Sequence, residues 1–140
     1  RAGTLSPALC AGFGAAAALA HERMAQDAAA VEVMWSCARA VLARWTLNGP
    51  QGARWKGNLN VRLPGLDVAR LMSDLRGIAF SAGSACASGS GKPSHVLRAI
   101  GLSDKDAKTS IRLGFGRYTA IRELEDACAR IEAAAAAQGV

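Results

Sequence analysis

Aromatic residues are scarce in this chain. One tyrosine, three phenylalanines and three tryptophans occur in 140 residues. That poverty argues against a single-stranded nucleic-acid binder, which needs aromatic platforms for base stacking. Histidine occurs only twice, at His21 and His95, too far apart in the chain to suggest a shared metal ion. The four cysteines, Cys10, Cys37, Cys86 and Cys128, include no CxxC pair, which argues against a zinc ribbon or a thioredoxin-type motif. No GxxxxGK[ST] is present, so the glycines build no P-loop. No apolar run is long enough to cross a bilayer without charges or glycines. Nor does the start carry a charged segment followed by an apolar one and a cleavage site. With few cysteines and no secretory signal, the reading is a cytoplasmic, reducing setting with free thiols. The chain starts at Arg1 rather than Met, and is expected to be a piece of a longer protein whose upstream part is missing.

What is present suits one domain. The length allows one real core and is short for two. The apolar fraction of 51% argues against disorder, although much of it is alanine. The net charge is +6, and the excess is concentrated late in the chain. Between Ser81 and Arg117 six cations, Lys92, Arg98, Lys105, Lys108, Arg112 and Arg117, face only Asp104 and Asp106.

Pattern and punctuation predict a long helix over residues 7–45. Pro7 suits its start, and Val31, Met34, Ala38, Val41 and Trp45 recur at helical spacing. "NGPQG" at 48–52 stops it. Residues 58–63, "NLNVRL", put Leu59, Val61 and Leu63 on one face of a strand. A short helix over 66–75 and a strand over 77–81 follow. Pro93 opens a helix through Ile100, which Gly101 ends. Residues 110–116, "SIRLGFG", alternate as a strand, and Thr119 is the expected cap of a final helix. That helix carries Ile121, Leu124, Cys128 and Ile131 on one face. The order predicts an α+β fold, a small sheet with helices packed on it.

Three places could carry chemistry. Cys86 sits in "SAGSACASGSG", a run of small residues with little to bury a thiol. The surrounding positive charge would lower a thiol pKa of about 8.5 and favour a reactive thiolate; the alternative is an incidental cysteine in a linker. Arg112 lies on the strand face opposite Ile111, Leu113 and Phe115, between residues with small or no side chains. It suits a bidentate clamp on a carboxylate, or is an ordinary surface arginine. Thr4 in "RAGTLSP" lies just before a helix start, where free N–H groups attract anions, although from spacing alone plain helix capping explains it better. His95 and Lys92 read as surface residues. Cys10, Cys37 and Cys128 read as packed thiols on helices.

Taken together, "SAGSACASGSGKPSHVLRAIGLSDKDAKTSIRLGFGRYT" and the "RAGT" turn resemble the active-cysteine segment and the "RxGT" turn of cysteine desulfurases of the NifS/IscS type. These are fold-type I enzymes of the class V aminotransferase group, dependent on pyridoxal 5'-phosphate. The resemblance implies that residues 1–140 form the C-terminal small domain of such an enzyme. Residues 1–6 would end the large-domain cofactor turn, 7–45 would be a connecting helix, and 53–140 a subdomain bearing the active-cysteine loop 81–92. It implies Cys86 as the nucleophile that takes sulfur from L-cysteine as a persulfide, leaving L-alanine. It implies Arg112 as the substrate-carboxylate residue, and Thr4 as a contact to the cofactor phosphate of the other subunit in a homodimer. Sulfur-acceptor proteins, such as iron–sulfur scaffolds or tRNA-thiolation factors, would be partners, with no membrane and no direct nucleic acid.

The departures also matter. The family's Schiff-base lysine lies upstream of the "RxGT" turn, and Lys56, Lys92, Lys105 and Lys108 do not stand in its context. This chain alone is therefore expected to be inactive. "ARWKGNLNV" departs from the family's usual approach to its strand and leaves the loop at 53–57 open. A selenocysteine lyase-like or other class V enzyme, a standalone persulfide carrier and a basic interaction module remain as alternatives.

Overall fold

The computed structural model describes residues 2–83 and 93–140. Helix α1, Pro7–Val41, dominates the first third. Then come β1 (Thr46–Leu47), β2 (Asn58–Arg62), α2 (Val68–Asp74) and β3 (Ser81–Ala82). The chain finishes with α3 (His95–Ala99), α4 (Asp104–Lys108), β4 (Ser110–Gly114) and α5 (Ile121–Ala136). The four strands form one antiparallel sheet in the order β1-β2-β4-β3. The expected α+β class is what the structure shows.

The sheet has two unlike faces because β2 and β4 both alternate with period two. Leu59, Val61, Ile111 and Leu113 are buried on one face. Against them pack Val31, Met34, Trp35 and Ala38 of α1, Leu71 of α2, and Leu124, Cys128 and Ile131 of α5, which together make one core. The other face carries Asn58, Asn60, Arg62, Ser110 and Arg112. Cross-strand register sets Asn60 opposite Arg112 and Arg62 opposite Ser110. Helices α3 and α4 cover this polar face at its Ser110 end. Leu97 of α3 reaches Gly83, where an added Cβ would lie 2.8 Å from its Cδ1.

Several elements differ from expectation, each for a local reason. α1 ends at Val41 rather than residue 45, with Leu42 as its C-cap. Trp45 is buried because it turns into β1, not because the helix reaches it. Its indole N–H donates to Glu132 of α5 at 2.6 Å, and Arg39 donates to its carbonyl at 3.1 Å. The strand expected over 77–81 shrinks to Ser81–Ala82, since only that stretch pairs with β4. α2 begins at Val68, capped by Asp67, which accepts from the Arg70 N–H. α3 begins after Ser94, whose hydroxyl caps it, so Pro93 precedes the cap rather than opening the helix. α4 was not foreseen; Ser103 caps it by accepting from the Asp106 N–H at 3.1 Å. Thr119 does not cap α5. Ala120 holds that position without a side-chain bond, and the Thr119 hydroxyl accepts from the Gly116 N–H instead.

Most of α1 before Val31 is exposed, with Leu5 and Leu9, Phe13 and Met24 all well over half exposed. Pro7 to Val31 covers about 36 Å of helix at 1.5 Å per residue, so the first turns of α1 stand far from the core. No helix among the described residues is long and apolar enough to cross a membrane.

Candidate functional site

The polar sheet face opens into a cleft of about 280 Å³. Arg112 lines it from β4, Asn58 and Asn60 from β2, Asn48 and Arg54 from the β1–β2 connection, and Ser94 and His95 from the start of α3. Gly83, the last described residue after β3, lines it too. Arg112 is exposed, and among the described residues no carboxylate pairs with it. Glycine at 114 leaves the space beside it open, with nothing within 4 Å of an added Cβ. An unneutralised guanidinium at the mouth of a polar cleft suits a bidentate carboxylate.

Behind Arg112 lies a hydrogen-bonded network. Asn48, only 3% exposed, donates to the Asn60 Oδ1 at 2.7 Å and to the Ser110 Oγ at 3.0 Å. Its own Oδ1 accepts from Arg62. Fully buried Ser110 in turn donates to the Asp106 carbonyl at 2.8 Å. This network ties β1, β2, β4 and α4 together beneath the cleft.

Arg54 forms the outer wall. Its guanidinium stacks on Trp35, 4.6 Å from the ring centroid, and donates to the carbonyls of Asn48, Pro50 and Asn58. Its buried Nε has no partner. Burial, with Arg39 nearby, lowers its pKa from the usual arginine value. The loop at 53–57, left open by the sequence, is thus held by three backbone carbonyls and a cation–π contact.

Of the residues singled out from sequence, Arg112 and His95 both line the cleft. Cys86 and Lys92 lie outside the described residues. Thr4 is exposed and sits before the far end of α1, so this chain does not bring it to Arg112. Its turn is tight, with Ala2 at φ 46° and Gly3 at φ 81°, and Ser6 rather than Thr4 takes the N-cap position. Of the three helical cysteines only Cys128 is packed as expected. Burial, with a smaller contribution from Cys37, raises its pKa to about 11. Cys37 is half-buried and donates to Glu125 Oε1 at 3.3 Å, and burial and that bond raise its pKa. Cys10 is exposed, because none of the described residues packs on α1 there. The sequence reading missed Asn48, Asn58 and Asn60. The alternation of "NLNVRL" already put Asn58 and Asn60 on the face opposite Leu59 and Val61, whereas Asn48 looked like a simple loop residue.

No protein-family model matches the chain. Relatives among curated proteins are more informative. Cysteine desulfurase IscS of Rickettsia typhi is 38% identical over 140 residues, which cover 94% of this chain and 34% of that protein. Cysteine desulfurase IscS of Colwellia psychrerythraea is 41% identical over 138 residues, covering 96% and 34%. A mitochondrial cysteine desulfurase of Arthroderma benhamiae is 41% identical over 128 residues, covering 89% and 25%. The chain belongs to the cysteine desulfurases of the NifS/IscS type, matching a C-terminal part of them. It spans about a third of the length of the first curated relatives it matches. The solved structure of a NifS-like protein from Rickettsia africae has the same fold over 89% of this chain and 33% of its own, with a TM-score of 0.73 at 24% identity.

For a member of that family, pyridoxal 5'-phosphate is the cofactor the resemblance implies. The described residues do not build a site for it. The cleft lining contains no lysine and no phenylalanine, tyrosine or tryptophan; its one ring is the exposed His95 imidazole. Lys56 is paired with Glu32, and Lys105 and Lys108 lie on α4 outside the lining. Thr4 stands at the other end of α1. What this chain contributes is an arginine, a set of amides and the two ends of the cysteine-bearing segment.

Proposed function

We propose that these residues supply the substrate-carboxylate residue and the sulfur-accepting cysteine of a cysteine desulfurase. The observation that carries the reading is local. Gly83 and Ser94, which flank the segment containing Cys86, both line the cleft that Arg112 lines. Cys86 is three residues beyond Gly83 in the sequence, so the nucleophile's segment leaves from and returns to the substrate cleft.

In this reading Arg112 binds the carboxylate of L-cysteine. The Cys86 thiolate forms a bond to the substrate sulfur as the substrate's carbon–sulfur bond breaks. The electron pair of that bond stays with carbon, which takes up the proton released by the substrate thiol and leaves as L-alanine. The enzyme retains a persulfide on Cys86 for an acceptor such as an iron–sulfur scaffold or a tRNA-thiolation factor. The lysine that holds the cofactor covalently belongs to parts of the enzyme outside these 140 residues. Thr4 meets the cofactor phosphate of the second subunit in a homodimer, and the exposed face of α1 packs on the large domain. Residues 1–6 end the large-domain turn, and 53–140 form the small subdomain. The enzyme works in a reducing, cytoplasmic setting. The identities to cysteine desulfurases favour this reading over a selenocysteine lyase-like enzyme or a separate persulfide carrier.

The test is L-alanine release from L-cysteine by the complete enzyme carrying these residues, supplied with pyridoxal 5'-phosphate. Cys86→Ala should abolish it, and the 140-residue piece alone should be inert. Undiminished release by Cys86→Ala would overturn the reading.

A further inference from the structure

The hydrogen-bonded network beneath the cleft has a direction, and that direction can be worked out from chemistry alone. A guanidinium can only donate. Arg62 therefore meets Asn48 at its Oδ1, which fixes which way the Asn48 amide faces. The Asn48 Nδ2 must then point the other way, to Asn60 at 2.7 Å and Ser110 at 3.0 Å, using both its hydrogens. Asn60 meets that donor, so it must present its Oδ1. Ser110 accepts from Asn48 and spends its own proton on the Asp106 carbonyl.

One group is left over. The Asn60 Nδ2 has two hydrogens and no acceptor among the described residues. It is not among the buried atoms left without a partner. Asn60 is half-buried, lines the cleft, and stands directly across the ladder from Arg112 on the same face. Directly opposed residues in an antiparallel pair have Cβ atoms about 4.5–5.5 Å apart. One carboxylate can be reached from both.

We propose that Asn60 is a second binding residue for the anionic group that Arg112 holds, with its amide turned donor-outward by Asn48 and Arg62. The inference rests on the reading that Arg112 takes the substrate carboxylate. Arg112 supplies the charge and Asn60 adds a neutral donor to one carboxylate oxygen. That fixes the rotation of the carboxylate about its own axis. Asn48 and Arg62 are positioning residues; they act only by setting the orientation of Asn60.

The experiment uses the complete enzyme, with L-cysteine as substrate and cysteamine, which lacks the carboxylate, as competitor. A hydrogen bond to a charged group is worth about a ten- to hundred-fold change in binding. Asn60→Ala should raise KM for L-cysteine by about that factor and leave the inhibition constant of cysteamine within about two-fold. Asn60→Asp replaces the donor by an anion and should raise KM further. Arg62→Leu frees Asn48 to turn, and should raise KM less than Asn60→Ala with cysteamine again unaffected. Thermal unfolding of each variant identifies mere misfolding, which would weaken both compounds together. An unchanged KM in folded Asn60→Ala, beside a raised KM in Arg112→Ala, overturns the role of Asn60 alone. An unchanged KM in Arg112→Ala overturns the underlying reading of the cleft.

Discussion

Arg117, just beyond β4, grips Asp27 of α1 through both carboxylate oxygens. The Arg117 Nε lies 3.0 Å from Oδ1 and 2.9 Å from Oδ2, and Nη2 adds a further bond. The two residues are 90 positions apart in sequence. The pair fastens α1 to the end of the strand that carries Arg112, one turn of helix before the first buried residue, Val31.

Asp27 gives the first prediction. Hydrogen bonds from Arg117, with its charge and that of Arg23, hold the Asp27 carboxyl below its usual value of 3.8, against a smaller opposing effect of desolvation. A depressed carboxylate stabilises the fold above its unfolded pKa, and the benefit is lost as pH falls through the folded one. Asp27→Asn should therefore lower the melting temperature at pH 7, and the difference should shrink progressively as pH falls below the usual carboxyl value of 3.8. Thermal unfolding of both proteins across that range checks it; an equal gap at both ends would contradict it.

Gly83 gives the second. It opens the cysteine-bearing segment, where flexibility would be the obvious explanation for a glycine. The structure gives a packing reason instead. A Cβ there would lie 2.8 Å from Leu97 Cδ1, 3.1 Å from Ser110 Cβ and 3.2 Å from the Ala107 carbonyl. Gly83→Ala should cost about 1–3 kcal/mol by forcing α3 off the sheet, and it should widen the cleft. Denaturant unfolding measures the first effect, and a raised KM for L-cysteine the second.

The thiols should react in a set order. Cys10 is exposed, Cys37 is half-buried with a raised pKa, and Cys128 is fully buried with its pKa pushed up to about 11. Access sets this order, and the raised pKa values of Cys37 and Cys128 slow those two further. Limited alkylation of the 140-residue chain at pH 8 followed by peptide mapping should label Cys10 well before Cys37, and leave Cys128 unlabelled until the protein unfolds.

Arg112 is the fourth. Lysine keeps the charge but loses the planar pair of donors. Arg112→Lys should raise KM for L-cysteine by about ten-fold or more, with the melting temperature nearly unchanged, because Arg112 is exposed and packs no core. An Arg112→Lys enzyme with an unaltered KM would remove the arginine from the site.

Much of this was legible in the sequence. Strong period-two patterns gave β2 and β4 and their two faces, because alternation in "NLNVRL" and "SIRLGFG" leaves no other way to bury Leu59, Val61, Ile111 and Leu113 together. Helical spacing gave the buried end of α1. The rest depended on tertiary partners. Trp45 continued the helical rhythm by coincidence and is buried through Glu132, a residue 87 positions away. The segment at 77–80 is apolar enough for a strand but has no strand partner among the described residues. Cys10 looked packed because alanine-rich helix reads as core, whereas no described residue covers that end of α1. Asn48 could not be read at all, since its meaning comes from Arg62, Asn60 and Ser110 converging on it. The pairing of Arg112 with the cleft was suggested by its glycine neighbours. The amides beside it were visible only once the register was known.

The most direct measurement is the mass of the peptide containing Cys86 after brief exposure of the complete enzyme to L-cysteine. One added sulfur atom on Cys86, removed by a thiol reductant and absent from Cys10, Cys37 and Cys128, is the predicted result. L-alanine formed with no added sulfur on Cys86, or with the sulfur on another cysteine of this chain, would contradict the account.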